Sequence, residues 1–325
     1  MPDQPPRSLD EIRKDMEAVD AQVVSLLSQR ARLAQEVGDV KGLDGQPYFT
    51  PERERVIYER LRRVDAAPLR AEHLTAIYRE IISAARALEK PLAVSYWGPE
   101  GTFSHQAAIE TFGRSTKGVP CDTIRDVFAA IEHGQADYGI VPIENSVAGV
   151  VPETLDMFPV TNVRICAESF LTVHHHLASL AGSLGEIKTV YAGPQPSTQC
   201  RGWLRSHLPQ ARIEDVVPTA RAAQHATRDA TSAAIVNKLC AELYALPILA
   251  EHLEDSADNR TRFVVLGHNE PKPSGRDKTS IMFNLRNRPG ELYRVLGALT
   301  EHQVNLLMIE SRPAPRAAFE YLFYV

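Results

Sequence analysis

The 325 residues suit two or three domains better than a single core. A hydrophobic share of 44% with a charged share of 24% is that of a water-soluble globular protein. The formal net charge of -5 leaves no basic surplus to neutralise a nucleic-acid backbone, so an anionic ligand has to be gripped by locally placed Arg and Lys.

Residues 8 to 90 read as helix throughout. Ser8 followed by Glu11 is a capping box, which satisfies free amides at a helix start. Leu9, Ile12, Met16, Val19, Val23, Leu26, Leu27, Leu33 and Val37 then recur at three- and four-residue steps as one apolar stripe. Gly38, Gly42 and Gly45 are expected to loosen the end of that helix. Thr50-Pro51 restarts a helix, with a capping hydroxyl and a proline at the first helical position. A third helix is expected from about Arg70 to Glu89, with Leu74, Ile77, Ile81 and Ile82 on one side, and Pro91 closes the segment. Arg13 and Arg30 are ~25 Å apart along one helix, too far to hold the same small molecule. If both serve one site, an antiparallel copy must carry its own Arg13 alongside this Arg30, which implies a two-fold dimer. Lys41 follows Arg30 by about three turns and shares its face. The bland alternative is that these charges form a solvated helix face.

The pattern changes at Leu92. Short apolar runs alternate with helical stretches: Leu92 to Trp97, Tyr138 to Ile143, Val163 to Val173, Ile187 to Tyr191, Ala233 to Val236 and Phe263 to Leu266. Such alternation predicts crossover units and mostly parallel sheets, with ligands at the carboxyl ends of strands. Two glycines in Gly98-Pro99-Glu100-Gly101-Thr102-Phe103-Ser104-His105 permit a tight turn, and Ser104 is placed to cap the helix that follows. An ordinary strand-to-helix turn explains the same residues. Asn259-Arg260-Thr261-Arg262-Phe263 puts a hydroxyl and an aromatic ring beside a guanidinium at the mouth of a buried strand, where an anionic ring could be held and a hydroxyl proton offered. His174-His175-His176 invites a metal reading, but successive strand residues face opposite ways and no carboxylate or Cys follows at ligand spacing. They are read as a structural or exposed strand end, and neither a metal nor a cofactor is expected. No glycine pattern fits a dinucleotide.

His268 to Lys278 is polar, with two prolines and a glycine, and reads as a linker. Thr279 to Leu285 reads as a strand, Pro289 to His302 as a helix, and two further strands run to Val325. Along the whole chain no run approaches the ~18 apolar residues of a membrane span. Met1 to Arg7 has no apolar signal core. Cys121, Cys166, Cys200 and Cys240 fit neither a disulfide frame nor a zinc spacing, so the chain is expected to be cytoplasmic with reduced thiols and no membrane partner.

Three motifs in order, Gly98 to His105, Pro142-Ile143-Glu144-Asn145-Ser146 and Asn259 to Phe263, resemble prephenate dehydratase over about Leu92 to Gly267. The helical stretch ahead of them resembles the chorismate mutases fused to such enzymes. Residues 279–325 resemble the start of an amino-acid-binding ACT domain, on Asn287-Arg288-Pro289-Gly290-Glu291-Leu292 and Glu310-Ser311-Arg312-Pro313. The resemblance implies a multidomain chain. Residues 1–90 would be an all-α mutase domain forming an intertwined dimer. Residues 92–267 would be an α/β, doubly wound, two-lobed dehydratase domain of periplasmic-binding-protein type. A linker at 268–278 would lead to a partial α+β ACT domain at 279–325. That fold needs four strands and two helices, so the end at Val325 is expected to leave a sheet face and edge open.

The implied activity is bifunctional and belongs to phenylalanine biosynthesis. Chorismate is rearranged to prephenate, and prephenate then loses carbon dioxide and water to give phenylpyruvate. The rearrangement needs no nucleophile, only a held conformer and charges aimed at the breaking ether bond. By resemblance, Arg13 and Arg30 grip the two carboxylates, Lys41 donates to the ether oxygen, Glu54 accepts from the ring hydroxyl, and Arg53 supports the anion pocket. Glu89 stands where enteric-type relatives have Gln. As a donor it must be protonated, so mutase turnover is expected to fall as pH rises through its titration. Thr50 stands where those relatives have Asp.

For the dehydratase, Thr261 is the implied donor to the departing hydroxide, and Phe263 presses on the ring. Thr102, Phe103, Ser104, Glu144, Asn145, Ser146, Gln199 and Arg262 are the implied prephenate contacts, with Arg262 equally readable as structural. Ala192-Gly193 replaces the Ser-His of many relatives. Asn287, Pro289, Gly290, Leu292, Glu310, Ser311 and Arg312 would bind L-phenylalanine between the subunits of a homodimer or larger homo-oligomer. Two other readings stay open: a non-catalytic aromatic-acid sensor, and a dehydratase with a decayed mutase.

Overall fold

The computed structural model describes residues 7–44, 46–256, 258–286, 288–314 and 320–325. The chain divides into two compact units, one formed by the residues up to Val94 with Ala108–Gly118, the other by Ser95–Ala107 with Val119–Val325.

The first unit is helical. Helix α1 (Leu9–Asp44) runs 36 residues without a break. Its start is the expected capping box: the Ser8 amide donates to Glu11 Oε2 at 2.9 Å and the Glu11 amide donates to Ser8 Oγ at 3.3 Å. The glycines do not loosen its end. Gly38 is buried within the helix, and a Cβ there would lie 2.9 Å from Glu89 Cβ, so glycine lets α3 (Ala71–Glu89) approach α1 closely. Gly45 lies outside the described residues. Between them, α2 (Pro51–Leu61) starts at Pro51, but the Thr50 hydroxyl makes no capping hydrogen bond. The Thr50 carbonyl instead accepts from the amides of Arg53 and Glu54. Phe49 is buried against Phe112, with ring centroids 4.7 Å apart. The stripe from Leu9 to Val37 is not covered: none of its nine residues is less than 38% exposed.

The second unit holds three sheets. In chain order the first lobe contributes β1 (Ala93–Trp97), α4 (Phe103–Phe112), β2 (Lys117–Cys121), α5 (Ile124–Glu132), β3 (Tyr138–Asn145), β4 (Gly149–Val150), α6 (Pro152–Leu155) and β5 (Arg164–Thr172). The second lobe follows with β6 (His176–Ser179), β7 (Thr189–Ala192), α7 (Pro194–Gln199), α8 (Arg201–His207), β8 (Arg212–Asp215), α9 (Thr219–Ala226), β9 (Ser232–Val236), α10 (Lys238–Leu243) and β10 (Ile248–Ala250). The chain then returns through β11 (Arg260–Gly267), which inserts between β3 and β5 in the order β2-β1-β3-β11-β5, while the second lobe is ordered β10-β6-β9-β7-β8.

That return corrects the expectation of mostly parallel sheets. Strand β11 enters from the other lobe and is antiparallel to both neighbours, and β6 is antiparallel to β9 and β10. Parallel pairing joins β7 to β8 and to β9. Strands β2, β4, β6, β8 and β10, each of five residues or fewer, were not anticipated. Two segments therefore cross between lobes, one at 173–175 and one whose described residues are 251–256 and 258–259, and they pair at both ends. The Val173 amide donates to the Asn259 carbonyl at 2.8 Å and the Leu253 amide to the His175 carbonyl at 2.9 Å. The third sheet, β12 (Met282–Asn284), β13 (Glu310–Pro313) and β14 (Tyr321–Tyr324), is ordered β12-β14-β13, with α11 (Glu291–Glu301) between its first two strands in sequence.

Candidate functional site

In the helical unit, four charged side chains meet in a largely dry cluster. Lys41, near the end of α1, puts Nζ 3.3 Å from Glu89 Oε2 at the end of α3, and also donates to the Tyr48 carbonyl at 3.3 Å. Glu54 on α2 accepts from Arg86 Nη1 at 2.7 Å, and Arg86 Nη2 donates to the Phe112 carbonyl at 2.6 Å. The Arg86 guanidinium also lies over the Phe49 ring, 5.2 Å from its centroid. Burial pushes the Glu54 carboxyl above its ordinary range, against the pull of the Arg86 and Lys41 charges.

The fold thus unites Lys41, Glu54 and Glu89 and adds Arg86, which the sequence reading passed over. The available signal was an arginine four residues after Ile82, on the apolar side of α3. Arg13 is not brought in: it is exposed, its ion partner is Asp10 at 3.5 Å, and ~42 Å of continuous helix separates it from Lys41. Arg30 is half-buried on α1, and Arg53 is exposed.

At the junction of the two lobes a second polar cluster forms. Asn145, at the end of β3, pairs with Thr261 at the start of β11. Its Nδ2 donates to Thr261 Oγ1 at 2.9 Å and to Asn259 Oδ1 at 2.8 Å, while its Oδ1 accepts from the amides of Val147 and Ala148. Every donor and acceptor of this amide is directed, so it holds Thr261 by the oxygen and leaves the hydroxyl proton to be offered elsewhere. Ser146 is spent on backbone: Oγ donates to the Asp258 carbonyl and accepts from the Arg260 amide.

Strand alternation separates Arg262 from Thr261. Arg262 Nε and Nη2 both donate to Glu144 Oε2, at 3.1 and 2.8 Å, Nη1 lies 3.7 Å from Glu168, and Nη2 touches Met308 Sδ at 3.6 Å. Arg262 and Glu144 are thus partners of each other in this structure. Phe263 shares the Thr261 face and is buried, 1% exposed.

The turn before α4 keeps both glycines in the left-handed region, Gly98 at φ 87 and Gly101 at φ 86. Ser104 does not cap. It is buried inside the helix, and Thr102 Oγ1 accepts from the His105 amide at 3.3 Å instead. Phe103 meets His175 edge-on, with centroids 5.5 Å apart, and His175 Nε2 bonds Gln199 Oε1 at 2.8 Å. Burial lowers the His175 pKa, which keeps the ring neutral and Nε2 the donor. The Gly101 carbonyl accepts from Asn237 Nδ2 of the second lobe at 3.0 Å. Asn237 was not singled out from sequence, and His175 was read only as part of a structural or exposed strand end, since a buried polar residue at a lobe junction has no local signature. The three histidines do separate, but a carboxylate reaches His174 from far along the chain: Glu254 Oε1 lies 2.7 Å from His174 Nδ1.

In the third sheet, Gly290 caps α11 at φ 84, with exposed Pro289 before it and half-buried Leu292 after it. On β13, Glu310 is half-buried and Ser311 exposed. Arg312 is engaged by the first lobe: Nε and Nη2 donate to Asp156 Oδ1 and Oδ2 at 3.0 and 2.8 Å. Tyr324 Oη also donates to the Leu155 carbonyl at 3.0 Å. Asn287 lies outside the described residues.

Comparison with known proteins places these clusters in a context. Residues 94–271 match the family described as prephenate dehydratase, 12–90 match chorismate mutase type II, and 279–325 match the ACT domain. A bifunctional chorismate mutase/prephenate dehydratase of Aquifex aeolicus is 43% identical over 98% of this chain and 89% of its own. One from Neisseria gonorrhoeae is 39% identical over 96% and 87%. The crystal structure of a prephenate dehydratase from Arthrobacter aurescens, in complex with L-Phe, superposes with a TM-score of 0.66 at 32% identity, covering 72% of this chain and 79% of that one. Among the described residues, no helix is long and apolar enough to cross a membrane.

Proposed function

The chain belongs to the bifunctional chorismate mutase/prephenate dehydratases, and from that membership we propose how its residues divide the work. It rearranges chorismate to prephenate, then decarboxylates and dehydrates prephenate to phenylpyruvate. In the mutase, Lys41 donates to the ether oxygen, and Glu89 aims the ammonium rather than donating itself. Their ion pair supports that division. Glu54 accepts from the ring hydroxyl, and Arg86 positions Glu54. Arg30 and Arg13 of the partner subunit hold the two carboxylates, and Arg53 and Thr50 line the approach. The long, bare apolar stripe of α1 supports a two-fold dimer that shares its sites.

In the dehydratase, the observation that carries the assignment is the Asn145 amide fastened to Thr261 Oγ1. Loss of carboxylate and hydroxide aromatises the ring, so the protein needs chiefly a donor beside the departing hydroxide. Accepting a hydrogen bond at its oxygen makes the Thr261 hydroxyl a better donor. Thr102, Phe103 and Gln199 approach prephenate from the two lobes, with His175 orienting Gln199. Ser104, Ser146, Glu144, Arg262 and Phe263 support that wall from behind. L-phenylalanine is the effector of the ACT domain, bound by Asn287 to Leu292 and Glu310 to Arg312, a reading supported by the L-Phe complex of the Arthrobacter relative.

The test is to supply purified protein with chorismate and follow both products. Both are expected, and Thr261→Val should lower dehydratase turnover by about 10²–10³, the cost of one positioned donor, with mutase turnover unchanged. Full phenylpyruvate formation by that variant would remove Thr261 from the mechanism. Folded protein that binds both acids and turns over neither would favour a sensor.

A further inference from the structure

The crossovers between the lobes face each other around a single carboxylate oxygen. Glu254 Oε1 lies 2.7 Å from His174 Nδ1 and 3.4 Å from His252 Nδ1, and the two Nδ1 atoms are 3.0 Å apart. His174 belongs to the first crossover, and His252 and Glu254 to the second. Two imidazole nitrogens so close around one acceptor are in conflict. If both carry protons, the protons meet, and if only one does, the other lone pair faces the carboxylate. A cation at the centre resolves this, since each group then presents a lone pair inward.

The spacing suits a small transition ion. With N and O ligands about 2.0–2.1 Å from a zinc-class ion, tetrahedral geometry puts ligand atoms about 3.3 Å apart. Two imidazoles and one carboxylate form a donor set that such ions prefer over the all-oxygen shells of calcium or magnesium. The surroundings hold the ligands. Glu254 Oε2 accepts from the His175 amide at 2.9 Å, which leaves Oε1 turned toward the rings. His252 sits in the left-handed region at φ 57, with its ring edge-on to that of His174 at 4.4 Å. The Glu254 side chain is 5% exposed, whereas those of His174 and His252 are 38% and 55% exposed, so an ion can enter from solvent and keep a water.

We propose that His174, His252 and Glu254 bind a divalent transition ion of the zinc class, which clamps the two inter-lobe crossovers to each other. The site goes beyond the catalytic reading and does not depend on it. Because the first crossover supplies one ligand and the second supplies two, occupancy ties the two crossovers together and stiffens the junction between the lobes.

Cobalt(II), added to the chelator-stripped full chain, reports the site directly. One equivalent is expected to bind with the intense visible bands of a four-coordinate ion and to be displaced by zinc. His252→Asn, chosen because Asn tolerates left-handed backbone, should weaken binding at least about tenfold. His174→Asn should do the same, and His176→Asn should leave affinity within about twofold of the parent chain. Unchanged circular dichroism and dehydratase turnover of the two weakened variants in chelator would tie the loss to the ligands rather than to unfolding. Only weak, pale six-coordinate cobalt, or equal affinity in all the variants, would overturn the proposal.

Discussion

Burial raises the carboxyl of Glu54 above the ordinary glutamate range, while the Arg86 and Lys41 charges pull the other way. As an acceptor Glu54 must be ionised, so mutase kcat/KM should rise with pH through an acid limb displaced above the usual carboxylate value. Glu54→Gln should lower the rate and abolish that limb, while an unshifted limb in the variant would assign it to another group. Arg86 is the counter-charge, and both side chains are nearly dry, 7% and 12% exposed. Arg86→Met should cost about 3–5 kcal/mol by leaving a buried carboxylate uncompensated, measured by urea unfolding. Adding Glu54→Leu should restore most of that stability. Lys41, Glu54 and Glu89 were legible as residues of matching spacing, but Arg86 was not. Nothing local distinguishes an arginine that turns inward toward Phe49 and Phe112 from one that turns out.

At the scale of elements, α6 links the third sheet to β3 and, through it, to β11. Its C-terminal Asp156 holds Arg312 on β13, the Leu155 carbonyl accepts from Tyr324 on β14, and Thr154 Oγ1 donates to the Pro142 carbonyl on β3 at 2.6 Å. Strand β3 ends in Asn145, so β13 and Thr261 are joined through the contacts Arg312–Asp156, Thr154–Pro142 and Asn145–Thr261. The Arg312–Asp156 pair is 27% and 50% exposed, so it adds little to stability, under about 1 kcal/mol. Its weight lies in coupling. Asp156→Ala should leave uninhibited dehydratase turnover within about twofold but weaken inhibition by L-phenylalanine at least about fivefold. Unaltered inhibition would mean that the signal takes another route. Sequence pattern marked Glu310 to Arg312 as a motif but could not mark Asp156, because only docking of β13 on the first lobe makes them partners.

For the whole molecule, the bare stripe of α1 is an unfinished apolar face. Met16, Leu26 and Leu33 are 60%, 63% and 61% exposed, far more than a stable long helix leaves in water. A second copy would cover it and bring a distant Arg13 to each Arg30. Leu26→Asp should therefore yield monomers by analytical ultracentrifugation and lower mutase turnover about a hundredfold or more, since a misplaced anion grip forfeits alignment. Dehydratase turnover should stay within a few-fold of the parent, because its cluster lies in a different compact unit. A dimer with full mutase activity would refute the shared site.

Periodicity, with the Ser8 capping box and Pro51, determined the three N-terminal helices and the longer apolar strands, because these follow from local spacing along the chain. Motif order determined the family. The tertiary structure alone decided the direction of β11, which returns from the other lobe and so runs antiparallel to both neighbours. It also decided that Arg262 turns to Glu144 while Thr261 turns to Asn145, and that Gly38 is a crossing point rather than a helix end. His174 finds Glu254 only because the two crossovers lie side by side. Each of these outcomes depends on groups far apart in sequence, and a local pattern carries no information about which distant residue will fill the space beside it.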